Sequence, residues 1–134
     1  MATYTLSFQS ERKNIQKVEP FIHAIPECST LGEAEFYNAL IAVTEAVNNA
    51  IIHGNKCDAS KIVLLEADVS EEAIVFTIQD EGEGFDPAKV ADPRDPENLM
   101  REGGRGVFLI ASLTQNAEYT KLPEGMRVTI TVQR

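Results

Sequence analysis

The sequence is poor in cysteine and has no basic run longer than two residues, and both features exclude classes of function. Cys28 and Cys57 are the only cysteines, too few and too far apart for a disulfide framework or a zinc knuckle, so we expect two ordinary reduced thiols. The 12 basic residues are outnumbered by 21 acidic ones, the net charge is −9, and the longest basic run is Arg12-Lys13. Such a chain repels nucleic acid and anionic membrane surfaces, so we expect no nucleic-acid or membrane partner.

Long apolar runs and targeting signals are also missing. No stretch approaches the roughly 18 apolar residues that span a bilayer. Residues 1–14 lack the basic-then-apolar order of a secretory signal, and we therefore expect a cytoplasmic protein. With 43% apolar residues in 134, the chain can build a core and has room for a single domain covering residues 1–134.

Alternation and apolar periodicity predict five strands and three helices. The predicted strands are Thr3 to Phe8, Lys61 to Val69, Ala73 to Gln79, Ala117 to Leu122 and Arg127 to Gln133. The predicted helices run from about Ser10 to Ile25, from an N-cap at Ser29 or Thr30 to about His53, and from Val107 to Leu113. Hairpins mixed with helices predict an α+β two-layer sandwich, with a mixed, mostly antiparallel sheet and helices on one face.

The long central helix has a polar pair opposite its apolar stripe. The stripe residues recur every three or four positions, at Phe36, Leu40, Val43, Val47 and Ala50. Glu45 and Asn49 lie four residues apart, so they are adjacent on roughly the other side. Two interpretations stay open at this point: a plain solvent-exposed face, or the wall of a pocket. The isoleucines Ile41 and Ile52 close to Glu45 favour the pocket.

A second group of residues follows the strand that ends at Gln79, with the sequence Asp80-Glu81-Gly82-Glu83-Gly84-Phe85. Its glycines let the backbone approach a ligand closely, and an aspartate at a strand end can accept hydrogen bonds from an amino group. By itself the pattern is also typical of a tight turn. It does not match a calcium loop, because glycines occupy positions where that loop needs Asp or Asn.

A third group, Gly103-Gly104-Arg105-Gly106, runs directly into the predicted helix at Val107. Backbone N–H groups at a glycine-rich helix start form an anion site, and phosphate is the usual occupant. The segment is neither a Walker loop nor a Rossmann fingerprint, and a flexible hinge is the alternative interpretation. The three groups in this order supply the parts for holding Mg²⁺, a base and phosphates.

Together the three groups resemble the boxes of the GHKL superfamily, whose ATP site has the Bergerat, or histidine-kinase-like, fold. Glu45 to Gly54 is similar to the N box, Asp80 to Phe85 to the G1 box, and Gly103 to Leu109 to the G2 box. Within the superfamily, the residues of the first and third boxes and the length of the chain are most similar to those of the RsbW-type anti-sigma factor serine kinases. A sensor histidine kinase needs a phosphoacceptor helix, which neither His23 nor His53 supplies.

The resemblance implies a role for each matched residue. Glu45 is implied to be the catalytic general base for a serine hydroxyl, and Asn49 to be the Mg²⁺ ligand. Asp80 is implied to accept a hydrogen bond from the adenine amino group. The implied nucleotide-binding residues are Asn49, Asp80, Gly82, Gly84, Phe85, Gly103, Gly104, Arg105, Gly106 and Val107, with an ATP lid at about residues 86–103.

The resemblance also implies an activity, cofactors and partners. The expected protein uses ATP and Mg²⁺, phosphorylates a serine of a STAS-domain anti-sigma antagonist, sequesters a sigma factor and forms a homodimer. A nucleotide-dependent binding switch without catalysis, and an ATP domain split from a histidine kinase, remain alternatives. The sequence departs from many relatives at Met126, where a threonine is usual and Thr129 is the candidate substitute, and at Gln115, where an aspartate is usual.

Overall fold

The computed structural model describes residues 2–82 and 116–134. Within them, five strands form one sheet in the order β1-β2-β3-β5-β4, and every neighbouring pair is antiparallel. The strands are β1 (Ala2–Gln9), β2 (Ile62–Val69), β3 (Ala73–Asp80), β4 (Asn116–Leu122) and β5 (Gly125–Gln133). All five predicted strands are therefore confirmed, with boundaries that differ by two residues at most.

One face of the sheet is covered by the helices and holds the core. Alternate residues of each strand point inward, because successive side chains of a strand lie on opposite faces. Fully or nearly fully buried examples from four strands are Phe8, Leu65, Phe76 and Ile130. The other face carries mainly polar side chains, among them Glu66, Thr77, Gln79, Arg127 and Thr129.

Helix α2 (Glu33–Asn49) packs on the inner face against β3 and β5. The predicted stripe is confirmed: Val43, Val47 and Ala50 are buried, and Phe36 and Leu40 are partly buried against the core. Three alanines beside the stripe are buried as well, namely Ala39, Ala42 and Ala46. Their small side chains let the helix approach the sheet closely, so the buried face is wider than the periodicity alone predicted.

The first predicted helix is only partly helical. The segment Arg12–Lys17 is a 3₁₀ helix, and the α-helix α1 spans only Val18–His23. The physical reason is Pro20, which has no N–H to donate back to Gln16 and is tolerated only in the first turn of an α-helix. The apolar residues Val18, Ile22 and Ile25 of this segment are nevertheless buried in the core.

The predicted N-cap of the long helix was wrong. Ser29 Oγ donates to the carbonyl of Pro26 and Thr30 Oγ1 to that of Glu27, both at 2.7 Å, so both hydroxyls stabilise a separate 3₁₀ turn. Gly32 occupies the N-cap position, without a side-chain hydrogen bond.

The C-terminal end of the long helix changes its hydrogen-bonding pattern. Residues Ala50–Gly54 form a π-helical turn, closed by the N–H of Asn55 donating to the carbonyl of Ala50 at 2.8 Å. The predicted stop at Gly54 and Asn55 is confirmed. Single π-turns inside or at the end of α-helices are rare and often occur at functional sites.

The two cysteines are free thiols, as expected: Cys28 is buried and Cys57 exposed. Burial raises the pKa of the Cys28 thiol to about 11, so this thiol stays protonated and unreactive at neutral pH. Among the described residues, no helix is both long and apolar enough to cross a membrane. The predicted helix at Val107 to Leu113 lies outside the described residues, as does the position Gln115.

Candidate functional site

The C-terminal end of the long helix and the end of β3 meet on the inner face of the sheet. Asn49 lies in the last turn of α2 and is 4% exposed, and Asp80 is the last residue of β3 and is 5% exposed. A π-turn residue, Gly54, packs against the carboxylate of Asp80. The structure therefore brings together elements of the first and second sequence groups that are far apart in the chain.

Three glycines from three segments enclose Asp80 so closely that none of them has room for a side chain. A Cβ atom on Gly54 would overlap the Asp80 carboxylate, and one on Gly82 would overlap the carbonyl oxygen of Gly54. On the neighbouring strand, a Cβ on Gly125 would overlap the backbone carbonyl of Asp80. Glycine is required here by close backbone approach rather than by conformation. We call Gly54, Gly82 and Gly125 the glycine cradle.

The Asp80 carboxylate is held by backbone donors but keeps accepting capacity. Its Oδ1 accepts the N–H of Gly82 at 2.9 Å, and the carboxylate also accepts the backbone N–H of Met126. Burial raises the pKa of Asp80, and the hydrogen bonds from Gly82 and Met126 oppose that rise. A carboxylate offers about four lone-pair sites, so two backbone donors leave room for a ligand donor.

Asn49 supports the pocket interpretation of the polar pair on α2. It is buried, and its Nδ2 has no hydrogen-bond partner among the described residues. A buried unpaired amide is unusual and points to a missing ligand or water. One turn earlier, Glu45 is half-buried. The two isoleucines predicted to line the pocket differ in burial. Ile52 is partly buried and packs against the core, whereas Ile41 is 42% exposed and does not belong to a buried wall.

The hairpin of β4 and β5 shows what Met126 contributes to the site and why Thr129 does not replace the usual threonine. Met126 is buried opposite Asp80 in the β3–β5 ladder and contributes its backbone N–H to the carboxylate, a role that does not depend on its side chain. Thr129 was the candidate to replace the missing threonine. It lies on the outer face of the sheet, beside Thr77 and Arg127, and cannot reach Asp80 on the inner face.

Asn55 is a functional candidate that the sequence interpretation treated only as a helix stop. It is 1% exposed, and its side chain joins three segments of the chain. Nδ2 donates to Ser10 Oγ at 2.6 Å and to the Ile62 carbonyl at 3.1 Å, and Oδ1 accepts the N–H of Glu81 at 2.7 Å. The only sequence signal was its position directly after the glycine that ends the helix.

The remaining predicted site residues cannot be placed. Gly84 and Phe85, the segment from Gly103 to Val107, and the lid at about 86–103 lie outside the described residues. Among residues 2–82 and 116–134, no three His, Cys, Asp or Glu side chains cluster as a metal site. The described part of the site consists of Glu45, Asn49, Asp80 and the glycine cradle. In this described part, the Asp80 carboxylate with its spare capacity fits a ligand N–H donor, such as the amino group of a base, and the Asn49 Nδ2 fits a ligand acceptor, such as a phosphate oxygen.

Residues 8–132 match the family of histidine kinase-like ATPase domains, and the chain belongs to that family. Two kinds of relative narrow the functional context. The chain is 34% identical over 92 residues to an anti-sigma F factor of Clostridium perfringens, covering 65% of this chain and 64% of the relative. It is 36% identical over 101 residues to the serine-protein kinase RsbW of Staphylococcus aureus, covering 70% and 63%. The alignments thus span slightly less than two thirds of these relatives.

Solved structures agree with the fold. The structure of the RsbU and RsbW domains of a Mycobacterium tuberculosis protein matches all of this chain and 33% of that one, with a TM-score of 0.70 and 13% identity. The histidine kinase AdeS of Acinetobacter baumannii matches 99% of this chain and 68% of its own, with a TM-score of 0.52 and 17% identity. At these identities the likeness concerns the fold, and it confirms the predicted histidine-kinase-like architecture.

Proposed function

We propose that this protein binds ATP with Mg²⁺, transfers the γ-phosphate to a serine of a STAS-domain anti-sigma antagonist, and sequesters a sigma factor. The observation that carries the proposal is the buried Asp80 in its glycine cradle, packed against the π-turn that directly follows the helix with Asn49 and Glu45. The names of the relatives, an anti-sigma F factor and serine-protein kinases, support the activity and the partners.

Adenine recognition is assigned to Asp80. The carboxylate accepts the backbone N–H groups of Gly82 and Met126, and the remaining lone pairs are assigned to accept the exocyclic amino group of the base. Gly82 lets the strand end pack against the carbonyl of Gly54, which fixes the backbone beside Asp80. Gly84 and Phe85, which follow Gly82 in the sequence, are assigned to contact the base as well. A buried site strengthens such a hydrogen bond, because water does not compete for the acceptor.

Asn49 is assigned to the phosphate end of the nucleotide. Its amide is buried, and the amide oxygen is a ligand type that Mg²⁺ accepts. When bound, Mg²⁺ would neutralise charge on the phosphates, and Asn49 is the residue that would hold it. The glycine-rich segment Gly103-Gly104-Arg105-Gly106-Val107 is assigned to the phosphates as well, and residues 86–103 to the lid.

Glu45 is assigned to the transfer step. The serine hydroxyl oxygen forms a bond to the γ-phosphorus while the bond from that phosphorus to the β,γ-bridging oxygen breaks, and the hydroxyl proton passes to the Glu45 carboxylate. Phosphoserine and ADP are the products. Glu45 lies one helical turn from Asn49, and this spacing supports its assignment as the base next to the phosphate end of the site. Positioning and charge neutralisation supply most of the catalysis in such transfers.

The same proposal includes a cytoplasmic homodimer with residues 1–134 as one domain. The test is incubation of the purified chain with γ-labelled ATP, Mg²⁺ and the STAS-domain proteins of the source organism. We expect acid-stable phosphoserine on one of them. Acid-labile phosphohistidine would instead indicate a separated histidine-kinase domain, and ATP-dependent binding without transfer would indicate a non-catalytic switch.

The glycine cradle provides a test of the nucleotide site that needs no partner protein. We expect Gly54→Ala to weaken ATP binding by about tenfold or more, because the new methyl group displaces the Asp80 carboxylate. Isothermal titration calorimetry measures the effect. Gly32→Ala is the matched control: its methyl group meets only the flexible end of Glu35, far from the cradle, and should leave ATP affinity unchanged. Unaltered ATP binding by folded Gly54→Ala would contradict the location of the site.

A further inference from the structure

The end of β3 is held differently on its two sides. Toward β5 the ladder continues to the last residue, where Asp80 pairs with Met126. Toward β2 the ladder stops earlier, at the pair Leu64 and Gln79. The backbone at Asp80 and Glu81 therefore lacks ladder partners on the β2 side, and a strand end without them has more freedom to move.

A closed ring of hydrogen bonds replaces the missing ladder. The Ile62 N–H donates to Glu81 Oε2 at 2.5 Å, the Glu81 N–H donates to Asn55 Oδ1 at 2.7 Å, and Asn55 Nδ2 donates to the Ile62 carbonyl at 3.1 Å. We call these three bonds the Asn55 ring. It joins the start of β2 to the residue that directly follows Asp80.

Asn55 is itself fixed from several directions. Its side chain is almost fully buried, its second amide hydrogen goes to Ser10 Oγ, and its backbone N–H closes the π-turn at Ala50. The same π-turn contains Gly54, which packs against the Asp80 carboxylate. One residue thus couples the position of the helix end to the position of the strand end, on both sides of the carboxylate.

We propose that Asn55 is a positioning residue that aligns Asp80 through the Asn55 ring and thereby sets the preference for adenine over guanine. The proposal rests on the nucleotide site proposed above. Adenine presents an amino donor where guanine presents a carbonyl acceptor. A carboxylate held in place attracts the amino group of adenine and repels the carbonyl group of guanine. A displaced carboxylate discriminates less between the two bases. The ratio of ATP to GTP affinity therefore reports the alignment of Asp80, and a loss of stability alone does not change it.

The sharpest experiment uses the exposed member of the ring. Glu81→Ala removes the acceptor for the Ile62 N–H, while Glu81→Gln removes the same charge but retains an acceptor oxygen. We expect the ATP-to-GTP affinity ratio, from calorimetric Kd values, to fall about three- to tenfold in Glu81→Ala, as for one lost hydrogen bond. In Glu81→Gln the ratio should stay within about twofold of the parent, well under the effect of one hydrogen bond.

Asn55→Ala tests the centre of the ring. We expect a fall of about tenfold or more in the same ratio, measured on protein shown to be folded by thermal unfolding. Ser10→Ala is its control, since it removes a buried bond of Asn55 but leaves the ring intact; it should lower stability and reduce the ratio clearly less than Asn55→Ala does. If Asn55→Ala does not fold, the two Glu81 variants decide the matter.

The outcomes separate the two proposals. Parental ratios in folded Asn55→Ala or in Glu81→Ala would overturn the positioning role and leave the nucleotide site intact. A fall of the same size in Glu81→Gln as in Glu81→Ala would overturn it too, because charge rather than the ring would be responsible. A parent chain that shows no preference for ATP over GTP would remove the adenine assignment itself and, with it, this inference.

Discussion

Replacing Glu45 with alanine is expected to slow phosphate transfer to the partner serine by about 10²-fold or more, while ATP affinity stays close to that of the parent. The carboxylate acts on the serine proton in the transition state and is one helical turn away from Asn49, so its loss removes the base and leaves the nucleotide contacts in place. Single-turnover transfer from γ-labelled ATP to the STAS-domain substrate measures the rate, and calorimetry measures the affinity.

The control for this variant lies on the same helix. Glu33→Ala removes an equal charge from an exposed position in the first turn of α2, three to four turns from Glu45, and should transfer phosphate at nearly the parental rate. Transfer by Glu45→Ala at the parental rate would exclude the general-base role. Equal losses in transfer and in ATP affinity would mean that Glu45 contributes to binding rather than to the chemical step.

Replacing Asp80 with asparagine is expected to weaken ATP binding by about 10- to 100-fold, the value of a hydrogen bond to a charged group. The carboxylate accepts backbone N–H groups from Gly82 and Met126 and is assigned to accept the adenine amino group as well. Asparagine has a single acceptor oxygen, so its NH₂ group must face either a backbone donor or the base. Calorimetric titration with ATP measures the loss.

Two controls accompany Asp80→Asn. Asp68→Asn makes the same charge change at an exposed position of β2 and should not alter ATP affinity.

The second control is the pH dependence of the unfolding free energy. Because burial raises the pKa of Asp80 in the folded state, protonation favours the folded chain, and the parent should gain stability relative to Asp80→Asn as pH falls from neutral through that raised pKa. A difference in unfolding free energy that does not depend on pH would contradict the buried, charged carboxylate.

Most of the fold could be predicted because its determinants are local. Strands are recognised by the alternation of polar and apolar residues and by β-branched residues, and all five described strands coincide with segments that have these features. The errors have local causes as well: Pro20 prevents a continuous first helix, and the hydroxyls of Ser29 and Thr30 bond back to a 3₁₀ turn instead of capping α2. In each case the competing residue was visible in the sequence, but the outcome of the competition was not.

The candidate site was predictable in its residue types and less so in its arrangement. The order of the polar pair on the helix, the aspartate at the strand end and the glycines indicated a site for Mg²⁺, a base and phosphates, and the resemblance to the GHKL boxes implied that the base is adenine. The failure of Thr129 as a substitute contact follows from strand alternation, which places it on the opposite face from Asp80 once the register with Thr77 is known. The roles assigned to Glu45, Asn49 and Asp80 stay predictions until the variants are measured.

The sequence by itself determined the strands, the apolar stripe of the long helix and the residue types at the site, because each depends on spacing within one short segment. Only the tertiary structure decided that Asn49 is buried with no partner for its Nδ2 among the described residues, that three glycines enclose Asp80, and that Asn55 joins the start of β2 to the residues that directly follow β1 and β3. The contacts of Asn55 reach residues up to 45 positions away, and they exist only when the strand register and the position of the π-turn bring the segments together.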